Sequence, residues 1–92
     1  MPQRENPIEM EVVKRAKAAG WQSRKLQYSG RRNAMDRMFF GHGRLVLMEI
    51  KRPGGKPRPG QARELQRIWD SGYHDVWVCD SVEHGLSILG IQ

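Results

Sequence analysis

Apolar positions recur along this chain at two periods, and the changes of period mark its elements. Ile8, Val12, Ala16 and Ala19, with Val13 at the edge, fall on one stripe of a helical wheel. Asn6-Pro7 ahead of them reads as an N-cap followed by Pro at the first helical position, and Gly20 as the stop. This predicts a helix to about Ala19, and Trp21 to Tyr28 then reads as a strand. Ser29 to Ala34 is a polar, Arg-bearing loop. Met38-Phe39-Phe40 and Leu45 to Ile50 flank Gly41-His42-Gly43, a hairpin signal. Arg52 to Gly60 holds three Pro and three Gly and reads as irregular. A second helix is predicted from Pro59 to Ser71, closed by Gly72, with Gln61, Leu65 and Ile68 on one face beside Ala62 and Trp69. Val76 to Cys79 is an apolar run suited to a buried strand. Asp80 with Glu83 resembles a capping box opening a short last helix that ends near Gly90.

The predicted order is α-β-β-β-α-β-α, a mixed α/β fold. Three consecutive strands imply an antiparallel meander, and the closing strand–helix–strand unit implies a parallel crossover, giving a mixed sheet flanked by helices. No repeat or linker interrupts it, so a single domain over residues 1–92 is expected.

The hairpin register carries the chemistry. If Phe40 pairs with Leu45, Asp36 falls directly opposite Glu49, with Cβ atoms about 4.5–5.5 Å apart on one face. Two carboxylates that close repel unless a positive charge lies between them. A hard cation such as Mg²⁺ suits the place, with the Ile50 carbonyl a further candidate ligand. Lys51 shares the face of Glu49 by two-residue alternation, while Met48 and Ile50 point to the other side. Read alone, Glu-x-Lys is equally an amphipathic strand with a solvated polar face. Glu9 lies inside the apolar stripe of the first helix, where a carboxylate needs a partner, whereas Glu11 lies on the polar side with Lys14 and Arg15. The plain alternative for Glu9 is a first-turn acid favoured by the helix dipole. Gln61 heads the apolar face of the second helix and could orient water or phosphate there; an ordinary first-turn Gln is the alternative.

Composition adds a partner. The 92 residues carry 16 Lys and Arg against 10 Asp and Glu, a formal net charge of +6. Such a surplus on a small domain suits nucleic acid, although a merely basic protein has the same count. Arg outnumbers Lys, and the guanidinium fork matches phosphate. Arg31, Arg32 and Arg37 surround Asp36, and Arg52, Lys56 and Arg58 follow Lys51, where a nucleic-acid backbone would pass. The lone Cys79 leaves no internal disulfide and reads as a small buried hydrophobe, and the isolated His42, His74 and His84 make no zinc spacing. No apolar run reaches the roughly 18 residues of a membrane span and no signal peptide is visible, so an intracellular, soluble protein is expected.

Glu9 on a first helix, Asp36, Glu49-Ile50-Lys51 and Gln61 on a following helix together resemble the motif set of the VRR-Nuc branch of the PD-(D/E)XK nucleases. Gly30-Arg31-Arg32 before the Asp and Lys51-x-Pro53-Gly54-Gly55 after the strand are similar in context. The resemblance spans Arg4 to Asp80. It departs at Met35, where the family usually has Pro; proline is not a ligand, so this affects loop stiffness more than chemistry. The resemblance implies a restriction-endonuclease-like core and phosphodiester cleavage with Mg²⁺ or Mn²⁺ held by Asp36, Glu49, the Ile50 carbonyl and Glu9. Lys51 would orient or help deprotonate the attacking water. It also implies a phage or bacterial protein that acts in the cytoplasm as a homodimer on branched DNA such as Holliday junctions, with no small-molecule cofactor. A non-catalytic nucleic-acid-binding module that retains the fold is the competing reading.

Overall fold

The computed structural model describes residues 6–27 and 35–92, so Tyr28 to Ala34, including Arg31 and Arg32, lie outside the described residues. The elements are α1 (Pro7–Ala18), β1 (Gln22–Lys25), β2 (Arg37–Gly41), β3 (Arg44–Ile50), α2 (Pro59–Asp70), β4 (Val76–Cys79) and α3 (Val82–Ile88). The order is the one the sequence predicts. The four strands form one sheet in the order β1-β2-β3-β4. The first three pair antiparallel and β4 joins β3 in parallel after the α2 crossover.

Local signals account for most boundaries. The Asn6 side chain accepts the Ile8 N–H at 2.9 Å, opening α1 as a side-chain cap. Across the turn Phe40 pairs with Leu45, the expected register, and His42 and Gly43 take the positive φ values (52° and 76°) that a two-residue hairpin turn requires. The first strand is shorter than expected. Trp21 donates its N–H to Ala16 O at 3.0 Å, so it closes α1 instead of opening β1, and its ring is buried. The last helix also starts differently from the sequence reading. Ser81, not Asp80, is its N-cap, accepting from His84 N–H at 3.1 Å. Asp80 is engaged elsewhere, accepting the Gly54 N–H at 3.0 Å.

One face of the sheet packs on α1 and α3. Val46, Met48 and Ile50 alternate inward from β3 to meet Val12 and Ala16 of α1 and Ile88 and Leu89 at the end of α3. The two helices approach closely because residue 85 is glycine: a Cβ there would lie 2.9 Å from Val12 Cγ2 and 3.5 Å from Cys79 Sγ. Hence α3 contributes its apolar residues Leu86, Ile88 and Leu89 to the interior and leaves none of them for an outside surface.

The remaining helix differs from its apolar reading. The buried residues of α2 are Gln61 and Glu64, while Leu65 and Ile68 are half-buried and Ala62 and Trp69 exposed. Its N-terminal turn therefore rests on polar contacts to the ends of the strands.

Candidate active site

The ladder between β2 and β3 ends at Arg37 and Met48, and the next pair, Asp36 and Glu49, continues it through side chains. Glu49 Oε1 accepts the Asp36 backbone N–H at 3.1 Å, and Asp36 Oδ2 accepts the Ile50 N–H at 2.9 Å. Each carboxylate is thus pinned by the backbone of the opposite strand. This is the juxtaposition that the hairpin register requires.

Glu49 is wholly buried (0% exposed), so the solvated-face alternative for this strand does not describe the protein. Its Oε2 accepts from Lys51 Nζ at 2.9 Å and from Gln61 Nε2 at 2.6 Å. Gln61 completes a triangle, because its Oε1 accepts from Lys51 Nζ at 2.8 Å and from the Arg58 backbone N–H at 3.1 Å. One amide therefore caps the first turn of α2, restrains the lysine and fixes the glutamate. Lys51 is held at its own end by its N–H bond to Cys79 O at 2.8 Å. Beyond it, Arg52-Pro53-Gly54-Gly55 makes a tight turn with Gly55 N–H on Arg52 O at 2.7 Å and Gly54 at φ 76°, as a Pro-Gly type II turn requires.

Both acids sit uphill electrostatically. Burial pushes the Asp36 carboxyl above its usual range, against the pull of the Ile50 N–H, and the nearby Glu9 adds to the rise. Burial likewise raises Glu49, against the Lys51 hydrogen bond, and the facing Asp36 adds to it. Among the described residues no hydrogen bond engages Asp36 Oδ1. The Ile50 carbonyl opens on the same place and accepts weakly from Asn6 Nδ2 at 3.3 Å. Oxygen donors from Asp36, Glu49 and Ile50 are therefore what this place offers a cation.

These groups line a cleft of about 410 Å³ formed by Asn6, Glu9, Lys25, Asp36, Glu49, Ile50, Lys51, Arg52, Arg58 and Gln61. Glu9, placed here by helical phase, lines it too, but its Oε2 accepts from Arg37 Nε at 2.7 Å. No three His, Cys, Asp or Glu side chains gather as a ready-made metal cluster among the described residues. Of the six cations singled out from the sequence, Arg52 and Arg58 reach the cleft. Arg37 is tied to Glu9, Lys56 is exposed outside the lining, and Arg31 and Arg32 lie outside the described residues. Two lining residues escaped the sequence reading. Asn6 was visible only as a helix cap. Lys25 pairs with Arg37 across β1 and β2, so alternation puts it on the face away from Asp36, and the meander register gives no signal for its place in the cleft.

No protein-family model matches the chain. It is 38% identical over 79 residues to a protein named "Putative nuclease p44" of Acyrthosiphon pisum secondary endosymbiont phage 1, covering 85% of this chain and 84% of that protein. A solved structure described as "VRR_NUC domain" superposes with a TM-score of 0.80 at 29% identity, over 90% of both chains. The chain belongs to the VRR-Nuc family of nucleases. Its four-stranded mixed sheet flanked by helices is the VRR-Nuc fold. In this VRR-Nuc chain Met35 is fully buried ahead of Asp36, so the side chain that replaces the usual proline fills the interior.

Proposed function

We propose that this chain is a divalent-metal-dependent DNA endonuclease, one nuclease domain over residues 1–92, that hydrolyses phosphodiester bonds in branched DNA as a homodimer. The observation that carries the reading is the half-buried Asp36 facing the wholly buried Glu49, with Lys51 and Gln61 locked onto Glu49. A structural pair gains little by holding two desolvated acids together; a catalytic pair needs them.

Asp36, Glu49 and the Ile50 carbonyl are the residues to hold the cation, with Glu9 reaching it directly or through water. An all-oxygen donor set with two carboxylates suits Mg²⁺ or Mn²⁺. When bound, the cation supplies an acidified water and a polarised phosphate. Lys51, its ammonium fixed by Glu49 and Gln61, orients the attacking water and offsets charge that grows on the phosphate oxygens. Gln61 keeps that ammonium from collapsing onto Glu49 alone. Arg52 and Arg58 hold the flanking phosphates at the cleft and Lys56 extends the basic track, with Arg31 and Arg32 as DNA-binding candidates on their sequence position alone.

Two features support a homodimer on branched substrates. A domain of this size cannot enclose a junction alone, and a two-fold pair presents two sites to symmetric strands. Trp69, Tyr73 and Trp77 stand 47%, 37% and 40% exposed, large side chains suited to an interface. No helix among the described residues is long and apolar enough to cross a membrane, in keeping with action on DNA in the cytoplasm.

The test is a cleavage panel of four-way junction, flap, duplex and single strand with Mg²⁺, Mn²⁺ or chelator. Metal-dependent nicking strongest on a branched substrate, lost in folded Asp36→Ala, Glu49→Ala and Lys51→Ala variants, is the expected result. Salt-sensitive binding without turnover at any metal concentration would identify a binding module instead.

A further inference from the structure

A second cleft of about 410 Å³ lies on α1, lined by Met10, Val13, Lys14, Lys17 and Arg37. Residues 10, 13, 14 and 17 follow the i, i+3, i+4, i+7 spacing and form a stripe beside the one that faces the core. Three of the five lining residues are cationic and none is acidic. Its floor is apolar, with Met10 54% exposed. Among the described residues neither Lys14 nor Lys17 takes part in an ion pair.

This cleft is separated from the candidate active site by one contact. Glu9 lines the acidic cleft, Arg37 lines the basic one, and the two side chains meet at 2.7 Å. Glu9 and Arg37 thus form the boundary that the two clefts share, with Lys14 and Lys17 on the far side of it. Neighbours three apart on a helix have Cβ atoms about 5–6 Å apart, so the two ammonium groups reach successive phosphates of one strand.

Resting on the nuclease reading above, we propose that the α1 groove is a second DNA-binding site, in which Lys14, Lys17 and Arg37 take the phosphodiester backbone of the duplex that flanks the cleavage point. Met10 and Val13 pack on the sugar faces between those phosphates. The groove sets how the substrate's arm lies across the protein and carries no sequence information. An acidic peptide would satisfy the same cations, but continuity with a cleft that receives DNA selects the nucleic acid.

The experiment measures binding of the whole protein to a duplex of about 30 bp in chelator, as a function of salt. Lys14→Gln with Lys17→Gln is expected to lower the slope of log K against log salt by about 2 and to weaken binding about tenfold near 0.1 M salt. Lys14→Arg with Lys17→Arg is expected to restore both. Lys17→Gln alone is compared with Arg63→Gln, an equal loss of charge on the exposed side of α2, and only the former should reduce the slope. Equal reductions at Lys17 and Arg63 would mean that net charge alone is felt, and would overturn the groove. So would an unchanged slope in the double variant. Metal-dependent nicking by the wild type is scored separately, so an unchanged slope with intact nicking sinks the groove alone. A wild type that binds no DNA sinks both readings.

Discussion

Removing the Gln61 amide tests the site at its most connected point. Gln61→Ala deletes a donor to Glu49 Oε2 at 2.6 Å and an acceptor for Lys51 Nζ at 2.8 Å and Arg58 N–H at 3.1 Å. Hydrogen bonds to charged groups are worth about 1.5–3 kcal/mol each, but Glu49 keeps Lys51 and the Asp36 N–H, and water enters the cleft to replace part of the loss. The net destabilisation should be about 2 kcal/mol, small enough for a marginally stable domain to remain folded. The larger effect falls on rate. Without the amide, nothing holds the Lys51 ammonium between Glu49 and the cleft, and a displacement of about 1 Å costs on the order of 100-fold. Single-turnover nicking of a branched substrate at saturating metal should fall by about that factor, equivalent to about 2.7 kcal/mol in the barrier. The same substitution made in a Lys51→Ala background should cost little more, because the amide acts through the lysine. A single variant within about twofold of wild type, or full additivity in the double variant, would refute the reasoning.

The two raised carboxylates predict an unusual pH dependence for the metal-free protein. Above their ordinary values of 3.8 and 4.5 the folded state holds protons on Asp36 and Glu49 that the unfolded state has released. Stability therefore falls as pH rises through the raised values, and denaturant titrations in chelator should show the fall. Asp36→Asn should flatten that slope and raise the melting temperature at neutral pH by a few degrees, on the order of 1 kcal/mol, while abolishing nicking. A lower melting temperature would count against a strained acid pair. Gly85→Ala gains about 1 kcal/mol of helix propensity but forces a methyl to 2.9 Å from Val12 Cγ2. Overpacking of about 1–3 kcal/mol should win, lowering the melting temperature, and Val12→Ala should relieve it. Burial lifts the Cys79 thiol to about 11 and leaves its side chain enclosed. A thiol reagent at about pH 8 should label it only at the rate of unfolding, and fast labelling of the native protein would contradict that burial.

Much of the framework could be read from residue order. The hairpin is specified locally, by a turn bracketed by glycines and by alternation that admits only one buried face, so Asp36 opposite Glu49 follows from Phe40 opposite Leu45. The phase of α1 places Glu9 toward the cleft for a similar reason: its core stripe is unambiguous. The predicted start of α3 failed because two residues compete for one role. Asp80 and Ser81 both suit an N-cap, and only the position of Gly54 assigns Asp80 to the loop.

What the sequence by itself determined is the order of elements, the register of the β2–β3 hairpin and the candidate residues, since these rest on periodicity and on neighbours within a turn. Only the tertiary structure decided which of those side chains meet. That Glu49 is wholly buried, that Gln61 bridges it to Lys51, and that Arg37 meets Glu9 all depend on where α1 and α2 come to rest at the end of the sheet. The partners lie up to 28 residues apart, and local periodicity carries no information at that range. Packing fixes it, through the buried Val12 and Ala16 of α1 and through the polar first turn of α2.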